Sequence, residues 1–118
     1  MELWGNSIML RRVGMMIAVR PEKIAEYRRL HAEPWPEMDQ ALNNANIHNY
    51  TIYLREPENL LFGYWEYVGT DFEADMKILG EKAVCKRWLA LTDPCQMRLS
   101  SGAEDEWWSM MPEVYHLD

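Results

Sequence analysis

Cysteine, basic charge and long apolar runs are all scarce in this sequence, and each scarcity removes a class of function. The chain has two cysteines, Cys85 and Cys95, and no hydrophobic leader, so a reducing cytoplasm is expected rather than a secreted disulfide scaffold. It has no CxxC pair, no HExxH and no cluster of histidine with carboxylates at ligand spacing, so no metal site is expected. A GxGxxG or GxxxxGK phosphate loop is also missing. Lys and Arg number 12 against 19 Asp and Glu, a net charge of -7. No basic run exceeds two residues, which argues against nucleic acid or an anionic membrane as partner. No apolar stretch approaches the roughly 20 residues of a membrane span. The remaining expectation is a neutral small molecule, handled by side chains without a cofactor.

What is present describes one compact domain. A chain of 118 residues, 48% apolar and 26% charged, can bury a core but is too short for two ordinary domains. The opening MELWGNSIML has no clear period and contains a Gly-Asn pair, so residues 1–9 are expected to be an extension to a single domain over 10–118. Arg11 to Arg20 is apolar, partly β-branched and closed by Pro21, which predicts a first strand. Pro21 and Glu22 suit the first turn of a helix. Pro34 and Pro36 break that helix just after His31, and Pro36 can start a second piece carrying Met38, Ala41, Leu42 and Ala45.

Ile47 to Arg55 then alternates as a strand, with Ile52 and Leu54 in register with His48 and Tyr50. Pro57, Glu58 and Asn59 make a turn into a strand over Leu60 to Val68. Thr70 and Glu73 fit a capping box for a helix that Gly80 can close. Lys82 to Leu91 forms a further helical piece with Cys85, Trp88 and Leu89 turned inward, stopped by Pro94. Cys95 to Glu106 reads as loop, and Glu113 to Leu117 as the last strand. This order, β-α-β-β-α-β, predicts a ferredoxin-like α+β fold: an antiparallel sheet with helices on one face. Large side chains on both faces of the strands predict a second copy of the chain over the other face, giving a homodimer.

The densest chemistry lies in PEKIAEYRRLHAEPW, where Tyr27 and His31 stand four residues apart. Helical residues at i and i+4 share a face, so phenol and imidazole can look into the same space. His31 also falls near a helix C-terminus, where unpaired carbonyls and the dipole favour positive charge. That makes it a credible general acid, although a Tyr-His pair at this spacing also fits core packing.

Several motifs together resemble one family. YRRLH at Tyr27 to His31, PWPEM at Pro34 to Met38, HNYTIYL at His48 to Leu54, ENLLFGYWE at Glu58 to Glu66, CKRWLALTD at Cys85 to Asp93 and the closing EVYHL are similar, in order and spacing, to the L-rhamnose mutarotase family. The resemblance runs from about Arg12 to Leu117. It implies a dimeric α+β barrel that interconverts the α and β anomers of a free deoxy sugar. It further implies that His31 is the proton donor, that Tyr27 and Tyr50 contact the sugar, and that Trp88 is the first of a Trp-Trp pair lining the site. The chain departs at the second of that pair, which is Leu89; leucine keeps bulk but lacks the flat ring and the indole N–H. Trp4 and the Trp107-Trp108 pair have no clear place on the family pattern, and either could complete a pocket.

Opening a pyranose needs a proton delivered to the ring oxygen while another leaves the anomeric hydroxyl, and closing on the opposite face reverses both steps. His31 is expected to supply the first. The base stays open between Glu66, Asp93, a tyrosine and a bound water. L-rhamnose is the sugar the resemblance implies, with L-fucose and other 6-deoxy sugars as alternatives. Two other functions fit the same residues: a cofactor-independent oxygenase on this dimeric fold, and a non-catalytic sugar-binding module.

Overall fold

Strict alternation decides which face of the sheet is covered. In β1, Arg11–Val19, the buried residues are Val13, Met15, Ile17 and Val19, with half-buried neighbours between them. A period of two puts that set on one face of the pleat. A computed structural model describes residues 11–118; the extension expected over residues 1–9 lies outside the described residues. β3, Leu60–Tyr67, repeats the pattern with Leu61, Gly63, Trp65 and Tyr67 inward. The two strands pair antiparallel from Arg11↔Tyr67 to Ala18↔Leu60, so their inward sets face the same layer.

The first helical region is broken as its prolines require. A 3-10 turn at Pro21–Lys23 leads into α1, Ile24–Ala32, and α2 follows at Pro36–Asn44. α2 buries Met38 and Ala41. β2, Ile47–Arg55, pairs antiparallel with β3. After β3 come α3, Phe72–Glu81, and α4, Ala83–Thr92, then a 3-10 turn at Asp93–Cys95.

Among the described residues five strands form one sheet in the order β2-β3-β1-β4, where β4 is Gln96–Met97, and β5, Ser109–Met111, also pairs with β1. This is the α+β arrangement expected from sequence, with the helices over the face that carries Val13, Ile17, Leu61 and Trp65. The buried residues form two clusters, one around Trp65 and Met38 and one around Ile17 and Tyr27.

Five local expectations are corrected. The cap of α3 is Asp71, whose carboxylate accepts from the Ala74 backbone N–H at 3.2 Å; Thr70 stands one residue too early. Gly80 lies inside α3 and does not adopt the left-handed backbone of a closing glycine. The segment from Cys95 to Glu106 is not all loop, because Gln96 and Met97 pair with Val19 and Ala18. The last strand is Ser109–Met111, not Glu113 to Leu117. Pro112 lacks the N–H that would extend the ladder, and Val114 and Leu117 beyond it are 94% and 77% exposed. Finally, His48 and Tyr50 do not share a face. A bulge between His48↔Glu66 and Thr51↔Tyr64 sets Asn49 and Tyr50 together opposite Trp65. Asn49 takes the extra residue's strain at φ 54°, a left-handed conformation that asparagine tolerates.

Candidate active site

Between the covered face of the sheet and α1, α2 and α4 lies a cavity of about 920 Å³. This lies toward the upper end of ordinary ligand pockets, roughly 300 to 1,000 Å³. One wall is built by α1. Tyr27 is buried on its inner face, and His31, one turn on, is half-buried. The His31 Nδ1 lies 2.8 Å from the Tyr27 backbone oxygen. A carbonyl only accepts, so Nδ1 carries the hydrogen and Nε2 is left for a ligand.

Aromatic rings continue this wall. Tyr27 and His31 lie 4.3 Å apart between centroids, and Trp88 of α4 meets His31 edge-on at 5.2 Å. Trp35, held between Pro34 and Pro36, meets Trp88 edge-on at 5.1 Å. Tyr50 belongs to the opposite wall, stacked on Trp65 at 6.4 Å. The bulge in β2 puts it there, since regular alternation would have turned it with His48. The structure therefore brings Tyr27, His31, Tyr50 and Trp88 to one cavity. Leu89 is one residue past Trp88, about 100° around the helix; it lines the same cavity while remaining 43% exposed.

The two phenols are held neutral. Burial pushes Tyr27 from 10.0 up to about 12, offset in part by a hydrogen bond from Gln96. Tyr50 is pushed up by burial and then by Tyr27. Both are hydrogen-bond donors across the ordinary pH range, and neither is suited to act as a base.

Neither carboxylate expected as a base or support lines the cavity. Glu66 lies on the other face of the sheet, as alternation with Trp65 demands. It accepts from Asn49 Nδ2 and Tyr64 Oη, each at 2.8 Å, and these bonds hold its carboxyl below the usual range. Asp93 is exposed in the 3-10 turn after α4; local burial pushes its carboxyl up and the Trp107 indole partly lowers it. The carboxylate among the lining residues is Asp39, in the first turn of α2.

Sequence reasoning also missed Gln96, Thr92 and Met15, which line the same space, and it left Trp108, which does so too, unplaced. Met15 follows from the alternation of β1, but Gln96 and Trp108 sit in a stretch without period and give no such signal. Trp107 stays outside the cavity and donates its Nε1–H to Gln96 Oε1 at 2.9 Å. Among the described residues no group of three or more His, Cys, Asp or Glu is placed to hold a metal ion. No described helix is long and apolar enough to cross a membrane.

The family model described as L-rhamnose mutarotase matches residues 12–117. The chain belongs to the L-rhamnose mutarotase family. Membership makes it an isomerase of the mutarotase class. An L-rhamnose mutarotase of Oceanobacillus iheyensis is 32% identical over 110 residues, covering 92% of this chain and 100% of the relative. One from Pectobacterium atrosepticum is 40% identical over 80 residues, covering 68% of this chain and 73% of the relative.

Among solved structures, the L-rhamnose mutarotase of Formosa agariphila superposes with a TM-score of 0.70 at 20% identity, covering 92% of this chain and 99% of that one. An antibiotic biosynthesis monooxygenase superposes with a TM-score of 0.55 at 18% identity, covering 91% and 100%. At these identities the structural likenesses establish a shared α+β fold and nothing about chemistry. The family assignment separates this chain from the oxygenases that share its architecture.

Proposed function

We propose that this chain interconverts the α and β anomers of L-rhamnose by acid-base ring opening and closing, with His31 as the acid. The observation that carries the reading is the commitment of His31 Nδ1 to the Tyr27 carbonyl, which reserves Nε2 for a ligand inside an aromatic-walled cavity. In the imidazolium form, with Nδ1–H held by the Tyr27 carbonyl, Nε2–H gives its proton to the ring oxygen as the bond from that oxygen to the anomeric carbon breaks, leaving neutral imidazole. The anomeric hydroxyl loses its proton at the same stage, leaving an open-chain aldehyde. Rotation about the bond beside that carbonyl exposes its other face. Closure then returns the proton from the ring oxygen to His31 and regenerates the anomeric hydroxyl.

Asp39 is the lining carboxylate and is favoured over Glu66 and Asp93 to receive the anomeric proton, directly or through a water. Positioned acid-base groups contribute about 100-fold to 10,000-fold each, a scale that suits a reaction already spontaneous in water. Trp88, Trp35 and Trp65 offer apolar faces to the methyl group and C–H surfaces of a 6-deoxy sugar. Tyr27 and Tyr50 direct its hydroxyls.

The sheet face away from the helices carries Met16, Leu60 and Phe62, half-buried with no described helix over them, and Tyr53, which is 65% exposed. A second copy packed on this face accounts for apolar side chains there, as homodimer formation requires. Cys85 and Cys95 are buried and unpaired, in keeping with a reducing cytoplasm.

Saturation-transfer NMR on L-rhamnose and L-fucose tests the function. Faster anomer exchange with protein than without it is the expected result, with L-rhamnose accelerated more. No acceleration of either sugar, together with oxygen uptake on an aromatic substrate, would replace this reading with the oxygenase one.

A further inference from the structure

One buried polar side chain beside the cavity has no part in the proton transfers above. Gln96 on β4 is 4% exposed, and its amide meets two partners. The Trp107 indole Nε1–H donates to Gln96 Oε1 at 2.9 Å, and Gln96 Nε2 donates to Tyr27 Oη at 3.1 Å. An indole N–H has no acceptor capacity. The amide must therefore turn its oxygen to Trp107, because the reverse orientation would set two N–H groups against each other. That orientation points the amide N–H at Tyr27. A phenol oxygen that accepts there keeps its own hydrogen for a different direction, and Tyr27 lines the cavity.

We infer that Trp107 and Gln96 form a relay that fixes Tyr27 as a hydrogen-bond donor into the cavity, making Gln96 a positioning residue for the sugar. The inference rests on the mutarotase reading of that cavity. The neighbouring titratable groups do not substitute for Gln96. Asp93, which also faces the Trp107 indole, is an acceptor when ionised. Cys95, beside Tyr27, directs its thiol to Glu26 at 3.8 Å and the Leu91 carbonyl at 3.6 Å. Among the described residues, the Gln96 amide alone offers Tyr27 a donor while accepting from the indole.

Gln96→Glu reverses the relay without changing its size. An ionised carboxylate accepts from both neighbours, so the Tyr27 hydrogen is drawn back toward it and away from the sugar. At pH 8 the expected effect is a rise in KM of about tenfold, the scale of one hydrogen bond, with kcat changed less. On acidification the deficit relative to wild type should shrink. A neutral carboxylic acid accepts from Trp107 through its carbonyl and donates to Tyr27 through its hydroxyl, as the amide does. Gln96→Leu should show a deficit that does not vary with pH. Trp107→Phe, at a site already 41% exposed, should lose a few-fold because the amide then adopts both orientations.

The experiment is anomer exchange of L-rhamnose against concentration and pH for these four proteins, with hydrogen exchange of the Trp107 indole measured alongside. A Gln96→Glu protein equal to wild type at pH 8, or matching Gln96→Leu at every pH, overturns the inference. So does a rapidly exchanging Trp107 indole in the wild type. Wild-type protein that accelerates no sugar while its indole is protected overturns the mutarotase reading and leaves the relay in place.

Discussion

Tyr27 and His31 occupy one face of α1, and the carbonyl that joins them selects the ring nitrogen that can meet a sugar. The same burial that holds Tyr27 neutral ties the fold to pH. Its phenol is raised from 10.0 to about 12 in the folded chain. A raised folded value favours the protonated folded form, so the contribution is fully present below pH 10 and is lost as pH rises toward 12. Urea unfolding across this range should show the midpoint falling less steeply for Tyr27→Phe than for wild type. Parallel curves would contradict the assignment. The slope does not vanish in the variant, because burial also raises Tyr67 and Tyr50. The same substitution removes the donor aimed at the sugar and should raise KM several-fold at pH 7, read by exchange kinetics.

The bulge in β2 is the local irregularity on which the second wall of the cavity depends. Asn49 at φ 54° absorbs it, and a β-branched residue at such a backbone costs roughly 1–2 kcal/mol. Asn49→Val should lower stability by about that amount and raise KM through a displaced Tyr50. Asn49→Gly should keep most of the stability, and denaturant titration beside sugar titration separates the two effects. At the start of α3, Asp71→Ala should cost about 1 kcal/mol as a lost N-cap, whereas Thr70→Ala should cost little.

These elements also show what the amino-acid order makes legible. The alternation in β1 and β3 and the prolines around Trp35 predict strands, helices and the break after His31, because period and missing donors are local properties. Helix spacing and motif resemblance lead to Tyr27, His31, Tyr50 and Trp88. The bulge is not local, since it exists only in the register of β2 against β3, and so His48 and Tyr50 are expected on one face when they lie on opposite ones. β4 is two residues long and defined by its pairing with β1 alone, which hides Gln96. Glu66 could have been set aside from sequence, because Trp65 inward requires Glu66 outward.

At the scale of the whole molecule, one side of the sheet is closed by helices around the cavity and the other presents Met16, Leu60, Phe62 and Tyr53. Phe62→Glu should therefore shift sedimentation from about twice the chain mass of 14.0 kDa to that of a single chain; a wild type already sedimenting as one chain would contradict the homodimer. The proposed function depends on one histidine in this cavity transferring a proton to a bound sugar. L-rhamnose affinity and anomer exchange rate, measured together for wild type and His31→Ala, separate binding from proton transfer. For His31→Ala, affinity should stay within a few-fold of wild type and exchange should be slower by about 100-fold or more. A His31→Ala protein that exchanges anomers at the wild-type rate would contradict that role.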